Sequence, residues 1–176
     1  MITSTIPDNF DSISPDTHLY YMRMAYAEAE RGLEKDEVPA GCVIVTMPEA
    51  DSDMKILGKA HNMTEALKDP TAHAEILAIT QAAAASGDWR ILNSILYVTK
   101  EPCPMCGGAI VLARIPYVVW AVDDPKRGAQ TVFSIFENMG VHHRPKFISG
   151  IMQEDCLSQL QGFFKKRRKD KINGME

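Results

Sequence analysis

The feature that most constrains the fold is a series of five short, apolar, β-branched segments spread along 176 residues. Runs of this length and composition are typical of buried strands. They span residues 41–47, 56–60, 95–99, 117–122 and 146–151. A polar turn at residues 48–55 joins the first two segments, which predicts an antiparallel hairpin, and helical stretches separate the others.

Helical patterns fill most of the remaining chain. Asp16 and Thr17 are suitable N-caps for a first helix, and Pro39 bars its continuation. Further helices are predicted over residues 72–85, 104–114, 132–139 and 154–168, with a loop through residues 61–70. The order α-ββ-α-β-α-β-α-β-α predicts an α/β fold of three α/β/α layers, in which right-handed crossovers build a mixed five-stranded sheet.

The length of the chain is that of one domain. Residues 1–16 are polar, contain Pro7 and Pro15, and are predicted to form a flexible arm, with a single domain over residues 17–171. A compact fold of this size buries roughly 70% of its unfolded surface, so it needs no metal for stability. A metal site in this chain would therefore be available for chemistry.

Charge and hydropathy narrow the setting in which the chain works. The N-terminus lacks a basic start followed by an apolar run, and no apolar stretch approaches the ~20 residues that cross a bilayer. We therefore expect a cytoplasmic protein without membrane contacts, whose four cysteines are reduced. Because the net charge is −4, any RNA contact would be local, and the basic residues 165–169 are the candidate patch.

Two polar segments each open a predicted helix. His73 and Glu75 begin the helix over residues 72–85, and Cys103 and Cys106 lead from a strand into the next helix. Backbone N–H groups and the helix dipole favour negative charge at a helix N-terminus. Cysteines in that position lose their protons readily, as zinc binding requires.

The ligand count indicates the kind of metal site. His73, Cys103 and Cys106 make three ligands, and catalytic zinc sites have three protein ligands plus water, whereas structural sites have four. The other two cysteines are solitary, and the adjacent His142 and His143 lack the spacing of a zinc finger. We therefore expect one Zn²⁺ per chain, with water or hydroxide as its fourth ligand.

Glu75 is the candidate proton carrier. It lies two positions after His73 and can reach the water without occupying the metal. Zinc lowers the pKa of bound water to roughly 7, and a positioned carboxylate that transfers protons contributes ~10²–10⁴-fold to the rate. The ordered set matches the H-x-E…P-C-x-x-C signature of zinc nucleobase deaminases.

Further segments occur in the order found in one known family. They are Glu37-Val-Pro-Ala-Gly41, Asn62, Asp69-Pro-Thr-Ala-His-Ala-Glu75, Leu96-Tyr-Val-Thr99, Glu101-Pro-Cys-Pro-Met-Cys106, Asp124-Pro-Lys126, Gly128-Ala129 and Phe163-Phe164. On these segments, the chain from about residue 20 to residue 168 resembles the cytidine-deaminase superfamily, and within it the bacterial tRNA-specific adenosine deaminases.

The resemblance implies conversion of adenosine to inosine at the tRNA wobble position. Zinc hydroxide would attack C6 of a flipped-out adenine while Glu75 shuttles protons and ammonia leaves. The substrate contacts would come from Asn62 at the target nucleoside, the Ala74 backbone and Pro102 in the pocket wall, Asp124 and Phe164 at neighbouring nucleotides, and Arg167 near the RNA backbone. The resemblance also implies a homodimer that binds a tRNA anticodon loop.

Some positions depart from the usual pattern of that family. Lys100 replaces an apolar residue, Gln130-Thr131 replaces a Gly-Ser pair, and His142-His143 replaces an Asn-His pair. These departures fall where the anticodon loop would lie, so a free nucleobase or nucleoside deaminase, for guanine or cytosine, stays open as an alternative. A CxxC redox pair or a zinc-stabilised interaction module is a third reading.

Structural roles are alternatives for several residues. Asn62 can cap a turn, Asp124 can begin one, and Phe163 and Phe164 can both be core residues. His18 and His61 are expected at the surface.

Overall fold

The computed structural model describes residues 10–48 and 54–174. Within these ranges the helices are α1 (Pro15–Glu34), α2 (Thr64–Leu67), α3 (Ala74–Ser86), α4 (Pro104–Leu112) and α5 (Gln153–Ile172). The strands are β1 (Gly41–Thr46), β2 (Ile56–His61), β3 (Ser94–Lys100), β4 (Tyr117–Val122) and β5 (Lys146–Ser149). A 3-10 turn at Phe10–Ser12 precedes α1.

The five strands form one mixed sheet in the order β2-β1-β3-β4-β5. β1 is antiparallel to both β2 and β3, whereas β3, β4 and β5 run parallel. This arrangement confirms the predicted hairpin and the predicted α/β fold with a mixed five-stranded sheet.

Helices cover both faces of the sheet. Successive side chains of a strand point to opposite faces, so strands that are apolar throughout present two apolar faces to be buried. In β1, Cys42 and Ile44 belong to one buried cluster and Val43 and Val45 to another. The first cluster contains Ala74, Ala78 and Ala82 of α3 and Ile110 and Val111 of α4. The second contains Tyr21, Met22 and Ala25 of α1 and Cys156 and Leu160 of α5. The three predicted layers are therefore confirmed.

The first helix begins earlier than predicted. Ser14 is its N-cap, since the Ser14 hydroxyl accepts a hydrogen bond from the N–H of Thr17 at 3.1 Å. Pro15 occupies the first turn, where its missing N–H costs nothing. The predicted caps, Asp16 and Thr17, therefore lie inside the helix.

The prediction of a flexible arm is wrong for residues 10–16. Phe10 is only 2% exposed, and its ring stacks on Tyr117 with centroids 4.3 Å apart. Burial of an aromatic ring on the sheet anchors this segment. The rest of the predicted arm, residues 1–9, lies outside the described residues, as do residues 49–53 of the hairpin turn.

Two other segments and two histidines differ from the prediction. Residues 132–139 form a series of turns, and the predicted loop at residues 61–70 contains α2. His18 is 5% exposed, with its Nδ1 3.0 Å from the Tyr97 hydroxyl, and the His61 side chain is 12% exposed. The prediction that both lie at the surface is therefore wrong.

Among the helices of the described residues, none combines the length and apolarity needed to cross a membrane.

Candidate metal and substrate site

The three predicted metal ligands meet at one point. His73 Nδ1 lies 3.6 Å from Cys103 Sγ and 3.4 Å from Cys106 Sγ, and the two sulfurs are 3.6 Å apart. Tetrahedral zinc, with bonds of about 2.3 Å to sulfur and 2.0–2.1 Å to nitrogen, separates such ligand atoms by about 3.6–3.8 Å. The spacing and the mixed N/S donor set therefore fit a zinc ion.

Two neighbouring helix N-termini hold these ligands. His73 is the N-cap of α3, Cys103 is the N-cap of α4, and Cys106 follows in the first turn of α4. Pro104 favours the start of α4 immediately after Cys103. Because α3 and α4 pack on the same face of the sheet, their first turns bring the three side chains together.

Hydrogen bonding prepares one thiolate for the metal. Hydrogen bonds from Cys106 and from His73 lower the pKa of Cys103 to about 3. The pKa of Cys106 is raised, because its thiol donates to Cys103 and because it is buried. A cation bound between the two sulfurs would displace this shared proton, as zinc binding to a Cys pair requires.

Glu75 lies in the first turn of α3 and is 5% exposed. Burial raises the pKa of this carboxyl group, which makes it easier to protonate. It lines a pocket of about 500 Å³ together with His73 and Cys103. The geometry thus places a proton-accepting group beside the metal ligands without making it one of them.

The pocket collects only some of the predicted substrate residues. Its lining includes the predicted residues Asn62, His73, Glu75, Cys103, Asp124 and Phe164, together with Val38, Ala40, Thr64, Lys100, Glu101, Lys126, Arg127 and Leu160. The side chains of Phe163 and Phe164 differ, since Phe163 is 5% exposed and Phe164 is 43% exposed. Phe163 is thus a core residue, and Phe164 offers a ring at the pocket wall.

The other predicted substrate residues lie elsewhere. Ala74 and Pro102 are buried outside the pocket lining, and the Pro102 carbonyl accepts a hydrogen bond from the Ala129 N–H at 2.8 Å. Arg167 donates to the Asp36 carbonyl at 3.1 Å and lies 3.4 Å from the Asp36 carboxylate. Its guanidinium carbon lies 5.5 Å from the centre of the Phe163 ring. Arg167 therefore joins α5 to the turn after α1.

Asp124 holds the shape of the loop after β4. Its carboxylate pairs with Lys100 and accepts hydrogen bonds from the N–H groups of Lys126 and Arg127 at 3.0 and 3.1 Å. Burial works against ionisation, but the hydrogen bonds from Lys100 and from these N–H groups outweigh it and lower the pKa of Asp124. The unusual Lys100 thus neutralises an acidic group at the pocket wall.

Glu101, which the sequence showed only as part of a motif, anchors the same loop. Its buried carboxylate accepts from the N–H groups of Asp124, Gln130 and Thr131 at 2.7, 3.0 and 2.7 Å. A side chain at Gly128 would collide with this carboxylate, so glycine is needed for the loop to approach. Sequence reasoning missed this role, although the glycine was a visible signal of close approach.

Glu37 forms a second network behind the pocket. It is fully buried and accepts a hydrogen bond from the Asn62 side-chain amide at 2.9 Å. The Ala66 N–H donates to its other oxygen at 2.7 Å. Asn62, placed after β2 and 5% exposed, is therefore held by a carboxylate from the turn before β1.

Lys126 and Arg127 also line the pocket, although neither was among the predicted substrate residues. Both are exposed, and both follow Asp124 in the loop that Glu101 anchors. Cationic side chains at a pocket mouth attract phosphate groups. In the sequence, Lys126 stood out only as the last residue of the Asp124-Pro-Lys126 segment, and Arg127 only by following it.

A candidate metal-ligand triad beside a buried carboxylate, at two helix N-termini on a mixed sheet, is typical of the zinc-dependent nucleobase deaminases. The chain belongs to the MafB19-like deaminase family, whose sequence profile matches residues 16–168. It is therefore a deaminase.

Similar proteins support this assignment. A Streptococcus pyogenes serotype M18 protein named tRNA-specific adenosine deaminase is 40% identical over 161 residues, which cover 91% of this chain and 98% of that protein. A protein of the same name from Bacillus subtilis is 41% identical over 152 residues, 86% of this chain and 91% of that protein.

Solved structures share the fold. One, from studies of A-to-I editing by tRNA:A34 deaminases at the wobble position, has a TM-score of 0.74 and 38% identity, covering 80% of this chain and 99% of that chain. A guanine deaminase from Bacillus subtilis has a TM-score of 0.55 and 28% identity, covering 84% of this chain and 94% of that chain.

Proposed function

We propose that this chain is a zinc-dependent hydrolytic deaminase that converts adenosine to inosine at the wobble position of tRNA. The observation that carries the proposal is one pocket that contains both the candidate deaminase site and cationic and aromatic side chains suited to binding RNA. His73, Glu75 and Cys103 line this pocket together with Lys126 and Phe164. The names of the similar proteins support the choice of tRNA.

His73, Cys103 and Cys106 would hold one zinc ion, leaving the fourth position to water. Zinc bound there would lower the pKa of a water molecule and so make hydroxide available as the nucleophile at neutral pH. Glu75 takes the proton of this water and delivers it to the departing nitrogen. Adenosine and water thus become inosine and ammonia, and Glu75 returns to its starting state.

The remaining pocket residues bind the substrate. Asn62 hydrogen-bonds the target nucleoside, and the exposed ring of Phe164 offers a stacking surface for a neighbouring base. Lys126 and Arg127 lie close to phosphates of the anticodon loop. Ala74 and Pro102 support the wall from behind, and Asp124 orients the cationic loop through its two backbone hydrogen bonds.

We place this enzyme in the cytoplasm because tRNA is its substrate, and we propose a homodimer whose catalytic domain includes the anchored residues 10–16. Large apolar side chains that are exposed in one chain are the candidates for its interface. Examples are Trp89, Leu112, Phe133 and Met139, which are 61%, 63%, 52% and 81% exposed. Light scattering on the purified protein should give the mass of two chains.

A free-base deaminase is the competing function, supported by the fold shared with guanine deaminase. The decisive experiment incubates the zinc-loaded protein with a tRNA anticodon stem-loop and, separately, with adenine, guanine, cytosine and their nucleosides. We expect inosine in the stem-loop and no ammonia from the small substrates. Ammonia from a free base, with an unchanged stem-loop, would overturn the tRNA assignment.

A further inference from the structure

The amide of Asn62 is held in one orientation by two neighbours. Its Nδ2 donates to Glu37 Oε2 at 2.9 Å and to Thr64 Oγ1 at 2.9 Å. The Thr64 hydroxyl in turn donates to Glu37 Oε2 at 3.3 Å. Both hydrogens of the amide nitrogen are therefore used inside the protein.

The chemistry of Glu37 decides which end of the amide faces it. Burial opposes ionisation of Glu37, but hydrogen bonds from the Ala66 and Glu65 backbone and from Asn62 and Thr64 outweigh it and lower its pKa. An ionised carboxylate has only acceptors, so the Asn62 nitrogen must point at it. A flipped amide would set oxygen against oxygen at the centre of this network.

The carbonyl oxygen of Asn62 is then the polar atom left for a ligand. Asn62 lines the pocket with His73 and Glu75. Within residues 10–48 and 54–174, its Oδ1 is not among the buried side-chain atoms that lack a partner. Since the side-chain hydrogen bonds of Asn62 seen there all come from its nitrogen, the oxygen is accessible rather than buried, and it can only accept a hydrogen bond.

We propose that Glu37 is a positioning residue that turns the Asn62 carbonyl oxygen toward the pocket, so that Asn62 accepts a hydrogen bond from the target nucleoside. This inference rests on the proposed function, because it concerns how the same site binds its substrate. The group recognised must carry an N–H or an O–H. Adenosine offers its exocyclic amine and its ribose 2′-hydroxyl, whereas ring nitrogens N1, N3 and N7 are acceptors and would be repelled.

A purely structural role for Glu37 makes a different prediction. Glu37 also accepts from the Ala66 N–H at 2.7 Å, so it could serve only to tie α2 to the turn before β1. In that case, any loss of activity on changing Glu37 would add to the loss on changing Asn62. Residues that act as one unit are instead non-additive.

Exchanging the donor and the acceptor separates these roles. Glu37→Gln places an amide where the carboxylate was, which favours a flipped Asn62 with its nitrogen toward the pocket. Asn62→Asp places two carboxylates against each other. The double variant Glu37→Gln/Asn62→Asp restores one donor facing one acceptor and returns an oxygen to the pocket.

The measurement is kcat and KM on the stem-loop, with zinc content and melting temperature for every protein. We expect each single variant to lose about tenfold or more in kcat/KM with zinc retained, and the double variant to regain most of this loss. Glu65→Gln, at an exposed position of α2, is the matched control and should be unaffected. A double variant no better than its weaker parent would overturn the proposal.

The donor on the substrate is found by changing the target nucleotide. With 2′-deoxyadenosine at that position, a hydroxyl contact predicts a loss in the wild type that is absent in Asn62→Ala. An amine contact predicts equal rates for the ribose and deoxyribose substrates. If 7-deazaadenosine slows the wild type but not Asn62→Ala, Asn62 donates to N7 and the proposed orientation is wrong.

The experiment distinguishes a wrong substrate assignment from a wrong pairing of Glu37 with Asn62. If the wild type deaminates guanine and not the stem-loop, the same four proteins are compared on guanine, which also carries N–H donors. If Glu37→Gln alone does not fold, the comparison of Asn62→Asp with the double variant still decides. Recovery of activity there supports the pairing, and its absence overturns it.

Discussion

Glu101 and Thr131 are joined by two hydrogen bonds, one from the Thr131 N–H at 2.7 Å and one from its hydroxyl at 2.8 Å. Thr131 belongs to the loop after β4, whereas Glu101 lies two residues before the candidate metal ligand Cys103. The loop after β4 is thus hydrogen-bonded to a buried carboxylate that lies next to the candidate metal site in the chain. A change at Glu101 should therefore affect the pocket without removing a ligand.

Glu101→Gln tests this connection. The introduced amide replaces one carboxylate oxygen with an NH₂ group, which cannot accept from the backbone N–H groups of the loop. Leaving a buried donor unpaired costs about 1–3 kcal/mol. We expect the free energy of unfolding, from urea titration, to fall by this amount and kcat/KM to fall at least about tenfold. Glu65→Gln, whose side chain is 67% exposed, should leave both unchanged. Equal effects of the two substitutions would contradict the anchoring role.

Glu75→Gln should abolish turnover while preserving the fold and the metal. Glu75 is buried beside the candidate ligands, but the group of residues that could hold a metal consists of His73, Cys103 and Cys106. Loss of a proton carrier typically lowers the rate by ~10²–10⁴-fold. Zinc content per chain and stem-loop deamination, measured on one preparation, check this. An active variant would exclude Glu75 as the proton carrier.

Cys106→Ala should lose zinc and activity yet remain folded, because apolar clusters on both faces of the sheet hold the chain together without the metal. Cys156→Ala, at a buried cysteine far from the ligands in sequence, is the matched control and should keep one zinc per chain. Circular dichroism before and after chelation completes the test. Unfolding on chelation would instead indicate a structural zinc site.

The stability of the protein should depend on His18 below pH 6.5. Burial lowers the pKa of His18, so the unfolded chain binds its proton more readily than the folded one. This contribution is fully present above the unfolded value of 6.5 and is lost as pH falls toward the folded value, by up to about 1.4 kcal/mol per pH unit.

Urea titrations of wild type and His18→Gln between pH 7.5 and 5.5 measure this effect. The difference in unfolding free energy between the two proteins should shrink as pH falls. Burial also lowers the pKa of His143, so part of the slope should persist in the variant. A difference independent of pH would show that His18 does not titrate in this range.

The double variant Lys126→Ala/Arg127→Ala should bind the stem-loop more weakly, and its affinity should depend less on salt. Each phosphate contact to a single strand contributes about 0.7 to the slope of log K against log salt. Two lost contacts should therefore lower the slope by about 1.4. Arg90→Ala, whose side chain pairs with Asp88 beyond the far end of α3, is the control. An unchanged slope would place the phosphates elsewhere.

Local sequence was sufficient for the strands and for the metal ligands. Strand residues are recognised by short apolar runs, and a ligand set is recognised by its residue types at helix starts. His73 and Cys103 each lie at the start of a helix, and Cys106 lies three positions after Cys103. Their donor atoms lie close together in the structure, as the predicted site requires, and the metal itself stays a prediction.

Tertiary contacts decided the rest, and they decided against some local patterns. Residues 132–139 have a helical pattern, but the N–H groups of Gln130 and Thr131 bind Glu101 and the segment forms turns. Phe10 lies in a polar stretch, yet Tyr117 provides a surface on which its ring is buried. His18 is in a helix whose inward face the sheet covers.

The sequence by itself predicted the reaction, because the candidate ligands and their carboxylate belong to two local motifs, His-x-Glu and Pro-Cys-x-x-Cys, each recognisable from its residue types alone. Only the tertiary structure assigned Glu37 to Asn62 and Glu101 to the loop after β4. These partners are separated by 25 residues in one pair and by 23 to 30 in the other. A buried carboxylate must be matched by donors from whatever segment folds against it, and sequence spacing does not reveal which segment that is.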